Sequence, residues 1–130
     1  MANRAMIPAA LTAFCEGVAL QEGKRFKFAM LFGSHARGDD AEDSDVDVAI
    51  IFTKLPNSFI DTKLALAGIA YDVLLETGVL IQPMPLSEDE WMFPTHHPNP
   101  ALVENIRRDG KPVRRSVADD LSIWGVPPGL

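Results

Sequence analysis

At 130 residues, 47% of them hydrophobic and 23% charged, the chain is long enough for one domain with a real core and too short for two. Its net charge of −6 argues against general nucleic-acid binding and suits a metal-loading site and a basic protein partner. No apolar run approaches the length of a membrane span, the start lacks a signal-peptide pattern, and the single Cys15 excludes an internal disulfide, so a cytoplasmic protein is expected.

From about Ala5 to Gln21 the chain reads as a helix, with Met6, Ala9, Ala10, Ala13, Phe14, Val18 and Leu20 as its apolar stripe and Gly23 as its stop. Cys15 lies in that helix with no His near it in sequence, and reads as a packed small residue, not a catalytic thiol. Lys24 to Lys27 lead into a first strand that ends at Phe32. Gly33 then permits a backbone turn that a side chain would obstruct, and Ser34 through Arg37 begin a short helix whose first amides point at a phosphate. Alone, Gly33-Ser34 would be a plain turn. Arg37 contacts phosphate or pairs with one of Asp39, Asp40, Glu42 and Asp43, which themselves read as a solvated loop, and His35 lines the cleft without acting as a base.

The second strand, Val46 to Phe52, gives that turn its meaning. Asp45 and Asp47 are flanked by apolar residues in strand alternation, so both carboxylates fall on one face, with Cα atoms roughly 6.5–7 Å apart. A strand in a small core does not normally point two acids the same way without a cation to share. Carboxylates opposite a Gly-Ser turn make a metal-plus-phosphate constellation, Mg²⁺ on the acids and phosphate oxygens on the turn and the Ser34 hydroxyl.

A long helical pattern follows from about Ser58 to Glu76, with Ile60, Leu64, Ala67, Ile69, Tyr71, Leu74 and Leu75 as an apolar face and Thr77-Gly78 as its close. A third strand, Val79 to Gln82, runs into Pro83-Met84-Pro85, and the prolines predict a sheet edge or an early exit from the ladder. Ser87-Glu88-Asp89-Glu90 is a capping box for a short helix carrying Trp91 and Phe93. His96-His97 reads as a surface loop, since a metal pair there lacks further ligands. Asn99-Pro100 caps a last helix that stops at Asp109-Gly110. The only basic cluster, Arg107, Arg108, Lys111, Arg114 and Arg115, reads first as a solvated helix end, and otherwise as a contact for triphosphate, an acidic partner face or RNA.

Gly33-Ser34, ten residues, then Asp45-x-Asp47, with Ala36-Arg37-Gly38 and Ser44 in place, resembles the signature of the DNA polymerase β-like nucleotidyltransferases. At this length the chain looks like the minimal nucleotidyltransferase (MNT) group, many of whose members act as antitoxins beside HEPN-domain RNase toxins. The motif covers Leu31 to Phe52 and the element order agrees over most of the chain. The expected fold is α/β (α+β), a small mixed β-sheet with helices packed on one side, over a domain of residues 1–115 followed by a tail, 116–130, that is a docking strap or loosely ordered.

The resemblance implies transfer of AMP from ATP to a tyrosine hydroxyl of a HEPN toxin. Gly33 and Ser34 would hold the β/γ-phosphates, with Arg37 and Ser44 as further nucleotide-binding positions, and Asp45 and Asp47 would be the catalytic ligands of two Mg²⁺ ions. Members usually carry a third carboxylate on the strand after the long helix, where this chain has Val79-Leu80-Ile81-Gln82 and no acid, Gln82 being the nearest polar residue. An amide accepts no proton at neutral pH, so a second reading stands beside the first: a catalytically weak module that neutralises its partner by binding. Transfer to a small molecule such as an aminoglycoside is disfavoured, because the chain has no room for an added acceptor-holding helical region.

Overall fold

The computed structural model of the chain describes residues 4–38 and 45–113. Ser44, Arg114, Arg115 and the expected tail at 116–130 lie outside the described residues, as do Asp39, Asp40, Glu42 and Asp43. Helix α1 spans Ile7–Glu22 and buries Ala10, Phe14, Cys15 and Val18. The thiol is therefore packed inside, as its surroundings in sequence indicated. Strand β1, Phe26–Phe32, leads through Gly33 into the single-turn helix α2, Ser34–Arg37, and β2 follows at Val46–Phe52. Helix α3, Phe59–Thr77, starts where the Ser58 hydroxyl accepts from the Asp61 amide at 3.1 Å.

Strand β3, Ile81–Ser87, differs from the expected Val79–Gln82 at both ends. Val79 and Leu80 serve the turn instead: the Val79 amide donates to the Thr77 hydroxyl, and the Leu80 carbonyl accepts from the Val46 amide. The prolines do mark an edge, but the strand does not exit early. Its parallel ladder with β2 is continuous from Val46↔Ile81 to Phe52↔Ser87. Pro83 and Pro85 stand two apart, so both missing N–H groups fall on the same, outer side of the strand, and the side facing β2 keeps its donors.

The capping box at Ser87 and Glu90 opens α4, Glu88–Met92, and Asn99 caps α5, Pro100–Asp109, both as the sequence indicated. A short β4, Lys111–Val113, was not foreseen. It pairs antiparallel with β1, giving, among the described residues, a four-stranded mixed sheet in the order β3-β2-β1-β4. Among the described residues no helix is long and apolar enough to cross a membrane.

Strand β2 is the centre of the core. Every residue of it is buried except Asp47, which is half-buried. The long helices α1 and α3 pack together on one side of the sheet, with the Ile69 side chain seated against Gly17 of α1. On the other side α4 and α5 add a smaller cover: Trp91 meets Phe28 edge-on at 5.4 Å between ring centroids, and Phe28, Met30 and Phe32 share their face with Ile51, Ala49 and Asp47.

Candidate active site

The site forms where β1, β2 and β3 present one row of residues. Register sets Phe32 opposite Asp47 on one side and Gln82 opposite Asp47 on the other. Gly33 follows Phe32 with φ 75° and ψ −154°, a backbone that side-chain-bearing residues rarely adopt. A Cβ built there would run into the Asp47 carboxylate. Glycine thus lets the turn lie directly against the acid. The Gly33 carbonyl accepts from the Ala36 and Arg37 amides at 3.2 and 3.1 Å, and the Gly38 amide returns to the Ser34 carbonyl at 2.9 Å, so α2 is one closed turn beside β2.

Asp45, exposed, stands just before β2, and its Oδ2 accepts from the Gln82 side-chain amide at 3.1 Å. Burial pushes the Asp47 carboxyl above the ordinary carboxylate range; the Asp45 charge raises it further, while His35 and Arg37 pull it down. The geometry therefore brings together Gly33, Ser34, Arg37, Asp45 and Asp47, with His35 and Gln82 beside the acids as the sequence indicated. Ser34 is half-buried at the first position of α2, and Arg37 is exposed at its last.

A divalent cation suits this arrangement. Two hard oxygen donors repel one another, the Asp47 carboxylate is penalised by burial, and the missing Cβ at Gly33 lets that carboxylate lie against the turn. Among the described residues no group of three His, Cys, Asp or Glu side chains could hold a metal, so an ion here would have the Asp45 and Asp47 carboxylates as its protein ligands, with the Gln82 amide bonded to Asp45 at their border. Mg²⁺ commonly takes one or two carboxylates and fills its shell with water and phosphate.

Helix α5 enters the site as the sequence did not indicate. A cavity of about 200 Å³ next to the Gly33 turn is lined by Phe32, Gly33, Arg37, Leu102, Asn105, Ile106 and Asp109. Only tertiary packing brings α5 there, and no local pattern announces it. Of the basic cluster, Arg107 and Arg108 have their partners on α4 and α5. Arg107 donates to the Trp91 and Met92 carbonyls at 3.1 and 3.3 Å and lies over the Trp91 ring, while Arg108 bonds Asn105 and Asp109. His96 pairs with Asp89 at 2.7 Å, and His97 accepts from the Asn99 amide at 2.9 Å, which leaves the two histidines as loop structure.

A mixed sheet with one carboxylate on a central strand, a second just before it and a glycine turn against them is the arrangement of a nucleotidyltransferase-type fold. Residues 18–89 match the polymerase β nucleotidyltransferase family model, and the chain belongs to that family. Over 55 residues it is 40% identical to a candidate protein adenylyltransferase of Methanocaldococcus jannaschii, an alignment covering 42% of this chain and 37% of that protein; the chain thus spans well under half of that relative. In structure it is similar to a candidate nucleotidyltransferase from Sulfolobus solfataricus, with a TM-score of 0.55 at 17% identity over 84% of this chain and 80% of the other. It is also similar to a complex of a tri-AMPylated Shewanella oneidensis HEPN toxin with an MNT antitoxin, with a TM-score of 0.51 at 12% identity over 83% and 72%. At these identities the structural likeness speaks for the fold.

Proposed function

We propose that the protein transfers AMP from ATP to a tyrosine hydroxyl of a HEPN-type toxin and so acts as its antitoxin. The observation that carries this reading is the Asp45–Asp47 pair held against the Gly33 turn in a chain of the nucleotidyltransferase family. The protein adenylyltransferase name of a relative and the AMPylated toxin in a fold neighbour support the acceptor class.

In this scheme Gly33 and Ser34 receive the β- and γ-phosphates, with Arg37 and Ser44 as further phosphate contacts, and Asp45 and Asp47 hold Mg²⁺. The ion, when bound, supplies charge stabilisation to the attacking and leaving oxygens. The tyrosine oxygen forms a bond to the α-phosphorus, the bond from that phosphorus to the β-phosphate bridge breaks, and pyrophosphate departs. Gln82 cannot take the tyrosine proton, so it leaves to solvent. That single feature also favours the second reading, a slow or inactive module that silences its partner by binding.

Intact-mass spectrometry of the toxin co-expressed with this chain separates the two. The enzyme reading expects a toxin heavier by whole AMP increments, lost in an Asp45→Asn, Asp47→Asn double variant. An unmodified toxin that both proteins still neutralise would leave the binding reading in its place.

A further inference from the structure

Helix α3 is apolar on two sides. Thr62, Leu66, Ala70 and Val73 face the interior. On the outside, Ile60, Leu64, Tyr71 and Leu75 are 62%, 65%, 58% and 69% exposed, with Ala67 and Gly68 exposed between them. A surface helix normally turns a polar face to water, and one that is apolar all round is normally covered. At 100° per residue these six positions form one stripe about 100° wide and roughly 22 Å long.

The stripe is a palindrome. Counting inward from one end gives Ile60, Leu64 and Ala67; counting inward from the other gives Leu75, Tyr71 and Gly68, at identical spacings. An isologous contact needs a patch that is complementary to itself. We propose that the stripe is covered by a second copy of the chain, two α3 helices packing antiparallel about a twofold axis between Ala67 and Gly68. This assignment is independent of the transfer chemistry.

The axis sets Leu64 beside the partner's Tyr71 and Ile60 beside the partner's Leu75, large against large, while the small residues at the centre let the backbones approach. Nothing lies within 4 Å of a Cβ built on Gly68, so the centre of the stripe is open. The exposed parts of the four large side chains come to about 500 Å² on each copy, and a pair would bury about 1,000 Å², where specific interfaces begin. Asp61 and Asp72 fall on the same flank of the stripe, and in the antiparallel pair the flanks of both copies share one edge of the seam. Like charges there oppose association, so added salt strengthens it; a basic partner on the same stripe would show the reverse.

Sedimentation of the full chain over a range of concentrations and ionic strengths tests this. The expectation is a dimer that tightens as salt is raised, and a monomer for Leu64→Glu whose thermal midpoint matches that of the wild type at dilutions where the wild type is monomeric. Cysteine cross-linking reads the register, since the native thiol is buried. Gly68→Cys should form an intermolecular disulfide under mild oxidation. Ile60→Cys should not, its two copies being roughly 22 Å apart where a disulfide spans at most about 7 Å between Cα atoms. A chain that stays monomeric throughout, a dimer that survives Leu64→Glu, or cross-linking at position 60 in place of 68 would overturn the proposal and assign the stripe to another partner or to residues 114–130.

Discussion

The side-chain amide of Gln82 on β3 donates to Asp45 Oδ2 at 3.1 Å, while Gln82 also stands opposite Asp47 in the β2–β3 ladder. A neutral donor thus borders both carboxylates on the strand where the sequence resemblance leads one to expect a third acid. It orients Asp45 without adding charge, and it offers no basic group to an incoming hydroxyl.

Replacing it tests what that exchange does. Gln82→Glu adds a base and a third oxygen ligand, and transfer to the acceptor should accelerate, by up to the roughly 10²–10⁴ that general-base help typically supplies. Single-turnover rates of AMP incorporation read this directly. An unchanged or slower rate would mean that Gln82 does not occupy the base position.

Asp47 makes the metal-free protein sensitive to pH in the direction opposite to an ion-paired acid. Its folded-state pKa lies above the ordinary value because burial and then Asp45 disfavour the charge. The folded state therefore binds the proton more tightly than the unfolded one, and stability falls as pH rises through the raised pKa. In EDTA, Asp47→Asn should melt higher than wild type at neutral pH, and the gap should close as the solution is acidified. Mg²⁺ at neutral pH should raise the wild-type midpoint and leave that of the variant unmoved. A gap that ignores both pH and Mg²⁺ would remove the strained-carboxylate account.

Gly33→Ala meets two obstacles at once, a left-handed φ and the Asp47 carboxylate. It should lower stability by about 2–4 kcal/mol and abolish Mg²⁺-dependent ATP binding. Calorimetric titration of ATP into a variant with native affinity would show that the turn does not cradle phosphate.

Arg107 and Arg108 are neighbours with different duties. Arg107 links α5 to the Trp91 and Met92 carbonyls and covers the Trp91 ring, so Arg107→Ala should lower stability by about 1–2 kcal/mol. Arg108 bonds only within its own exposed turn, and Arg108→Ala should leave the thermal midpoint where it is. Equal midpoints for the two variants would return both residues to the solvated surface.

Local chemistry announces itself in this chain. Ser87 with Glu90, and Asn99, each cap a helix by bonding the amide three residues on, and both were legible for that reason; Ser58 caps α3 in the same way, where the sequence pattern indicated only a helix start. The spacing from Gly33 to Asp47 was legible because alternation in β2 fixes where the carboxylates point. The rest depends on distant pairing. Lys111-Pro112-Val113 is too short and too irregular to read as a strand, and becomes one only because β1 has an unpaired side. The β3 ladder continues past two prolines because their bare nitrogens face away from β2, a distinction no sequence window contains. The approach of α5 to the Gly33 turn likewise exists only once Trp91 and Arg107 have fixed α4 to α5.

Pro83 and Pro85 on β3 and Pro112 on β4 occupy the two outermost strands of the sheet. Each removes a donor that an added strand would need, so neither rim offers an unbroken template for sideways growth. Among the described residues, both rims of the ladder are thereby blunted against edge-to-edge pairing and strand exchange. An extended peptide added at either rim would lose the hydrogen bonds that those proline nitrogens cannot donate.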